Sequence, residues 1–464
     1  MDQLPVEVRD IVKSFRVPVE RLNKISEDMA AAMKRGLESG SGRSSSIGML
    51  PSFVPALPDG TEVGNYCAID LSGKNCRILL VVLEGPGREP VKDIQNFVVP
   101  KMVMTGTGEQ LFNFIINSLK KVLHDAKVED QTFHIGFVFS FPCELISIRS
   151  ARLLWWTKGF NIQDCLQQDM VTLLDDALEM SMTVKGRVKA IMNDTVGQLA
   201  ASHQKYGDEC IIGVVIGYGC NSAYLEDVKN IKKFDPVAHN YKYEKMVVVT
   251  EWEEFGRRGE MEDIMTEFDR EVDSASVHIG KQLIDKLTGA LYLGELIRRV
   301  LLKLTNNKIL FGGEKVVALE TAEGFPTKYI SEIFSEPGEM RRNCRRICDE
   351  MEVQNHGSTD YTIMQEVCIA VSERSAAIVA SAISALLRHI GRKKIKIGLG
   401  GAIIQFHPGY YDMLEAHLQT LAPLHIDVGF FKFLKNIWQL CVVEEGSVLG
   451  AALIAAVADS MKLN

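Results

Sequence analysis

Two stretches far apart in the chain repeat one pattern. Ala68-Ile-Asp-Leu-Ser-Gly-Lys-Asn-Cys-Arg-Ile-Leu-Leu and Val214-Val-Ile-Gly-Tyr-Gly-Cys-Asn-Ser-Ala-Tyr-Leu each pass from an apolar strand through a Gly-x-Asn turn into a second apolar run. Gly73 and Asn75 correspond to Gly219 and Asn221. A hairpin used twice predicts two related lobes facing a cleft. A third glycine turn follows a strand at Ile395-Lys-Ile-Gly-Leu-Gly-Gly-Ala. Further apolar runs at His134–Phe139, Val188–Met192 and Met246–Val249, with helical stretches at Gly108–Leu123 and Gln167–Met180 between, predict an α/β protein with mixed sheets.

The 464 residues suit two to four domains at ~100–200 residues each. Val19, Leu22, Ile25, Met29 and Met33 form one apolar stripe, so the first 38 residues read as helical, with Pro18 where a helix would begin. That stripe is expected to pack on the body, a partner being the alternative. The Gly/Ser run Ser39–Ser46 reads as a mobile connection. The expected division is 1–45 as N-terminal helix and connection, 46–195 as a small lobe joined by a returning C-terminal helix 446–464, and 196–445 as a large lobe.

A net charge of −8 with no basic block argues against nucleic acid or anionic membrane as partners. The apolar stretch Ala376–Leu387 falls short of the ~20 residues a bilayer span requires. The N-terminus MDQLPVEVRD lacks the order of a secretory signal, and ten cysteines without a CxxC pair read as reduced thiols, so the cytosol is expected.

A glycine turn after a strand presents backbone N–H groups to an anion. In the first turn Lys74, Asn75 and Arg77 add groups suited to phosphate, and Asp70 is suited to hold a hydrated Mg²⁺. No GxxxxGK[ST] sequence occurs, and Gly217-Tyr-Gly-Cys-Asn-Ser lacks the third glycine of a dinucleotide fingerprint, so P-loop and Rossmann readings fail. Asp194, after the strand Val188–Met192, reads first as a helix N-cap and second as a carboxylate facing a cleft. Glu251 follows another strand and Asp285 lies on a helix after Gly280; each alone reads as a solvated acid.

Together these segments resemble the hexokinase family from about Ser46 to Ala456. The most specific stretches are Phe139-Ser-Phe-Pro-Cys and Trp156-Thr-Lys-Gly-Phe, joined by Asn193-Asp-Thr-Val-Gly, Thr250-Glu-Trp-x-x-Phe-Gly, Thr266-Glu-Phe-Asp-Arg-Glu, Gly280-Lys-Gln-Leu and Tyr292-Leu-Gly-Glu-Leu. The resemblance implies two actin-like ATPase lobes closing on a hexose, in a single catalytic unit that uses ATP and Mg²⁺ to phosphorylate the 6-hydroxyl, the first step of glycolysis. It implies Asp194 as catalytic base and Lys158 beside the reacting centre. It implies Ser140, Thr157, Lys158, Asn193, Asn221, Glu251 and Asp285 as sugar ligands, Asp285 replacing the family's Glu. Such a lining of acids and amides meets hydroxyls that both donate and accept. The phosphates would meet Asp70, Ser72, Gly73, Lys74, Asn75, Arg77, Thr195, Gly217, Gly219, Gly401 and Ser447. No protein partner is indicated.

The nucleotide side departs from the family pattern. Ser72 stands at a glycine position, a strain if its φ is positive. Lys74 replaces a threonine, and Tyr218 and Cys220 replace two hydroxyl residues. Gln198 replaces another threonine, and Gly400 and Ala402 remove a carboxylate and a hydroxyl. Glu253 and Glu254 stand in place of Gly-Ala. Two readings follow: a divergent active hexokinase, or a hexose-binding sensor with little or no phosphoryl transfer.

Overall fold

The computed structural model describes residues 4–38, 45–336, 341–422 and 438–463. Its frame is a pair of sheets. One has five strands, in the order Val91–Val98, Asn75–Glu84, Val63–Leu71, Thr132–Phe139, Lys185–Met192. Neighbours among the first three are antiparallel, and the last two run parallel to Val63–Leu71. The other sheet runs Lys245–Val249, Cys220–Asp227, Cys210–Ile216, Ile395–Gly400, Trp438–Val442, with the same alternation of antiparallel and parallel pairs. The repeated hairpin therefore occupies the same place in both sheets, and its two turns face each other. This is the two-lobe actin-like ATPase arrangement.

The lobes exchange helices. Helix Asp194–Tyr206 leaves the last strand of the five-stranded sheet and packs on Cys210–Ile216 and Ile395–Gly400 of the other. Helix Gly446–Ser460 makes the reverse crossing, onto Val63–Leu71 and Thr132–Phe139. The two helices meet backbone to backbone. A Cβ at Gly450 would lie 1.7 Å from the Gly197 carbonyl oxygen, and one at Gly197 would lie 2.2 Å from that of Ser447.

Several expectations need correction. The chain from Ser46 to Pro51 runs along the other sheet. Leu50–Pro51 adds an edge strand beside Lys245–Val249, and the five-stranded sheet starts only at Val63. Backbone hydrogen bonds, which leave no hydrophobic pattern in the sequence, hold this segment: Met49 N–H donates to Thr250 at 2.8 Å and Ser52 N–H to Val247 at 3.1 Å. The end of the presumed mobile connection is also fixed. Ser45 and Ser46 are buried, with their hydroxyls donating to the Ala32 carbonyl at 2.7 Å and to Glu260 at 2.8 Å. Residues 39–44 lie outside the described residues. The helix expected from Gln167 begins at Met170, because Asp169 caps it by accepting from Val171 and Thr172 N–H at 2.9 Å.

The N-terminal region forms two helices, Val6–Ser14 and Val19–Leu37, the second capped by Pro18. Leu22, Ile25, Met29 and Met33 are buried as the stripe required, whereas Val19 is exposed. Their cover is helix Ser358–Ile390, which contains the apolar stretch read from the sequence. At 33 residues it is long and apolar enough to cross a membrane, a length that the dozen-residue apolar run understated. Its apolar surface is covered by protein, including a buried Ser26–Ser384 hydrogen bond of 3.1 Å. Within it Arg374 forms a two-pronged buried ion pair with Asp269, at 2.7 and 2.6 Å.

Candidate active site

Between the sheets lies a cavity of about 940 Å³. One wall rests on an aromatic cluster. Phe141 meets Trp156 at 4.9 Å and Trp156 stacks on Phe160 at 5.4 Å, while the Trp156 indole N–H donates to the Ile162 carbonyl at 2.7 Å. This anchors the loop that carries Thr157 and Lys158. Lys158 takes a left-handed backbone (φ 57°), and Gly159 follows with φ 86°. The chain thereby doubles back, and Lys158 Nζ donates to the Ser72 carbonyl at 2.8 Å and the Ser140 carbonyl at 2.6 Å. One cation thus ties this loop to the first glycine turn.

Asn193, not Asp194, caps the helix: its side chain accepts from Thr195 N–H at 3.0 Å and from the Thr195 hydroxyl at 2.7 Å. Asp194 is thereby left to line the cavity. Its backbone N–H donates to the Ser140 hydroxyl at 3.1 Å. Loss of solvation raises the Asp194 pKa, and Asp70 adds to the rise, against the opposing pull of Lys158 and Arg77. A carboxylate with a raised pKa in a cleft is suited to take a proton.

On the facing wall Asn221 Nδ2 donates to Glu251 at 2.9 Å, while its Oδ1 accepts from Ser222 and Glu251 N–H at 2.7 and 3.1 Å. Asp285 accepts from Cys220 N–H at 2.7 Å. Its shorter stem suffices because Gly219 carries no side chain; a Cβ there would lie 2.3 Å from Asp285 Oδ2. Burial, with Glu251 adding repulsion, raises the Asp285 pKa. Ser140, Thr157, Lys158, Asn193, Asp194, Asn221, Glu251 and Asp285 all line this one cavity. Sequence reasoning missed Glu253. The sequence marked it only as a departure from the family's Gly-Ala, whereas it is buried beside Glu251. An acidic side chain in a buried turn gives no periodic signal that could have announced it.

The residues expected to meet phosphate are brought together less completely. Ser72, Gly73, Asn75, Arg77, Gly217, Gly219, Gly401 and Ser447 line the cavity. Ser72 is not among the positive-φ residues, so the feared strain is absent. Lys74 is exposed and outside the lining, since hairpin geometry turns it away. Thr195 is buried and engaged with Asn193. Asp70 is fully buried: its Oδ2 pairs with Arg77 and accepts from the Ser447 hydroxyl at 2.9 Å. Its Oδ1 has no partner among the described residues. That free oxygen, with the turn amides and Arg77, fits a hydrated cation on a phosphate chain. Gln198 is a buried clamp, donating to the Leu399 carbonyl at 3.0 Å. Tyr218 spans the cleft: a Cβ on Gly73 would lie 2.8 Å from its ring.

Two sheets of one strand order, enclosing a cleft with facing glycine turns and a polar pocket, define an actin-like ATPase fold with a ligand site between its lobes. Family models described as hexokinase match residues 7–204 and 211–457. The hexokinase of Brugia malayi is 38% identical over 464 residues, covering 100% of this chain and 79% of that protein. The hexokinase of Schistosoma mansoni is 34% identical, covering 98% and 97%. A solved structure of Schistosoma mansoni hexokinase complexed with glucose superimposes with a TM-score of 0.87 at 32% identity, covering 97% of this chain and 98% of that one. The chain belongs to the hexokinase family, and is a phosphotransferase by that membership.

Proposed function

We propose that this chain transfers a phosphoryl group from Mg·ATP to the 6-hydroxyl of a hexose, with glucose as the first substrate to test. The observation that carries the reading is Asp194, freed from capping by Asn193 and held in the cleft beside Lys158 and Arg77. Asp194 removes the proton of the sugar hydroxyl as its oxygen attacks phosphorus. Ser140, Asn193, Thr157, Asn221, Glu251 and Asp285 orient the ring. Lys158 holds the sugar loop against the first turn, which fixes the acceptor in line with the donor. Mg·ATP, when bound, supplies the phosphoryl group and the metal charge, held by Asp70, Arg77 and the turn amides. The five-stranded sheet with helix Gly446–Ser460, and the other sheet with its helices, act as the closing lobes and exclude water. The cytosol, where the ten unpaired cysteines stay reduced, is the proposed location.

One observation favours the second reading, a hexose sensor: the Tyr218 ring lies between the two turns that would flank the phosphates. A coupled assay for glucose 6-phosphate, beside calorimetric glucose titration, separates the two. Turnover with Mg·ATP supports the kinase. Glucose binding with no turnover at saturating Mg·ATP selects the sensor.

A further inference from the structure

Glu253 is a buried acid in the cleft that the mechanism above leaves unused. It is 9% exposed, lines the cavity, and has an Oε2 with no hydrogen-bond partner among the described residues. It belongs to the short 3₁₀ turn Trp252–Glu254, which Glu251 opens with a left-handed backbone (φ 52°). The turn is locked from behind, since Trp252 is fully buried and its indole N–H donates to the Cys220 carbonyl at 2.8 Å. Neither carboxyl can therefore swing away into solvent without breaking this packing. Glu251 is tied on its other side by Asn221, so the Glu251 carboxylate is held from one side by an amide and flanked on the other by Glu253.

Two ionised carboxylates so placed repel, and a single proton between them converts the repulsion into a hydrogen bond. Burial and the Glu251 charge hold the Glu253 pKa well above the usual carboxylate range. The groups acting on Glu253 are Glu251 and Asp285, the latter from helix Leu283–Thr288, while Glu254 acts on Asp285. The cations nearby are Lys158, acting on Asp285, and Arg257, which is 3.5 Å from Glu254. Neither forms an ion pair with Glu253, so its charge is best removed by protonation.

We propose that Glu253 is a positioning residue of the sugar pocket, a neutral carboxyl that donates a hydrogen bond to Glu251 and fixes that carboxylate against the hexose. This rests on the reading of Glu251 as a sugar ligand. When Glu253 loses its proton the hydrogen bond becomes a repulsion, Glu251 is displaced, and hexose affinity falls. The pocket then holds sugar more tightly in slightly acid than in alkaline conditions.

Calorimetric titration of the full chain with glucose, from mildly acid to alkaline conditions, tests this. Wild-type affinity should weaken about tenfold from the acid to the alkaline end of the titration. Glu253→Gln, which keeps an N–H donor for Glu251 but cannot ionise, should retain its low-pH affinity at the alkaline end to within about threefold. Glu253→Ala should weaken glucose binding at every pH, and melting curves of both variants verify folding. Wild-type affinity independent of pH, or a Glu253→Gln variant with the full wild-type fall, overturns the role of Glu253 alone. A wild-type protein that binds no glucose at any pH overturns the hexose-site reading and this inference with it.

Discussion

Asp194 owes its role to its neighbour. Because the Asn193 side chain takes the helix N-terminus, the next carboxylate is spared for the cleft. The sequence alone favoured the opposite assignment, since Asp and Asn cap equally well and only coordinates tell which side chain turns inward. Burial raises the pKa of Asp194, so its ionised, base-competent form is populated only above that raised value. The acid limb of kcat/KM should therefore lie above the ordinary Asp value of about 4, and should vanish as an identifiable limb in Asp194→Asn. A limb at or below the ordinary value would contradict the burial argument. Tyr218 makes a second test. If its ring against Gly73 narrows the phosphate path, Tyr218→Thr should raise kcat/KM for ATP by about tenfold, the value of one relieved contact or restored hydrogen bond. An unchanged or lower value would show that the turns already accommodate the ring.

Secondary-structure elements were legible where hydrophobic period governed them. The strands His134–Phe139 and Val188–Met192 were named from apolar runs, and their observed bounds, Thr132–Phe139 and Lys185–Met192, differ only at the starts. The stripe on helix Val19–Leu37 named its buried face. Elements ordered by backbone hydrogen bonds were not legible. The edge strand Leu50–Pro51 carries Ser and Pro neighbours and no alternation, and only its pairing with Lys245–Val249 makes it a strand. The crossing of helices Asp194–Tyr206 and Gly446–Ser460 was anticipated only as a returning C-terminal helix; its cause is a glycine contact between segments far apart in the chain. Gly450→Ala forces a Cβ against the Gly197 carbonyl, where no side-chain rotation can relieve it. We expect a loss of about 3 kcal/mol or more, at the upper end of overpacking costs. Thermal denaturation showing no destabilisation would contradict the close crossing.

The arrangement of the two lobes follows from duplication. One hairpin pattern, seen twice in the sequence, led to two sheets with one order and a cleft between their turns. What the sequence could not supply was which residues of each turn face inward. Lys74 looked like a phosphate ligand by type and is turned out, whereas Glu253, noted only as a departure from Gly-Ala, is buried in the pocket. The sites come from both sides: Lys158 and Asp194 approach from one sheet, Glu251 and Asp285 from elements around the other. A ligand contacting both walls stabilises the closed, folded form. Glucose at one hundred times its dissociation constant should contribute about 2.7 kcal/mol and raise the melting temperature, while a sugar that the pocket rejects should leave it unchanged.

The central claim is that Asp194 activates a sugar hydroxyl within an otherwise preformed hexose pocket. Its most direct test measures glucose 6-phosphate formation and glucose binding together, in wild type and in Asp194→Asn. We predict turnover by wild type, and a variant that binds glucose within about tenfold of wild type but loses at least about a hundredfold in kcat, as loss of a general base requires. A variant with the wild-type rate would contradict the account.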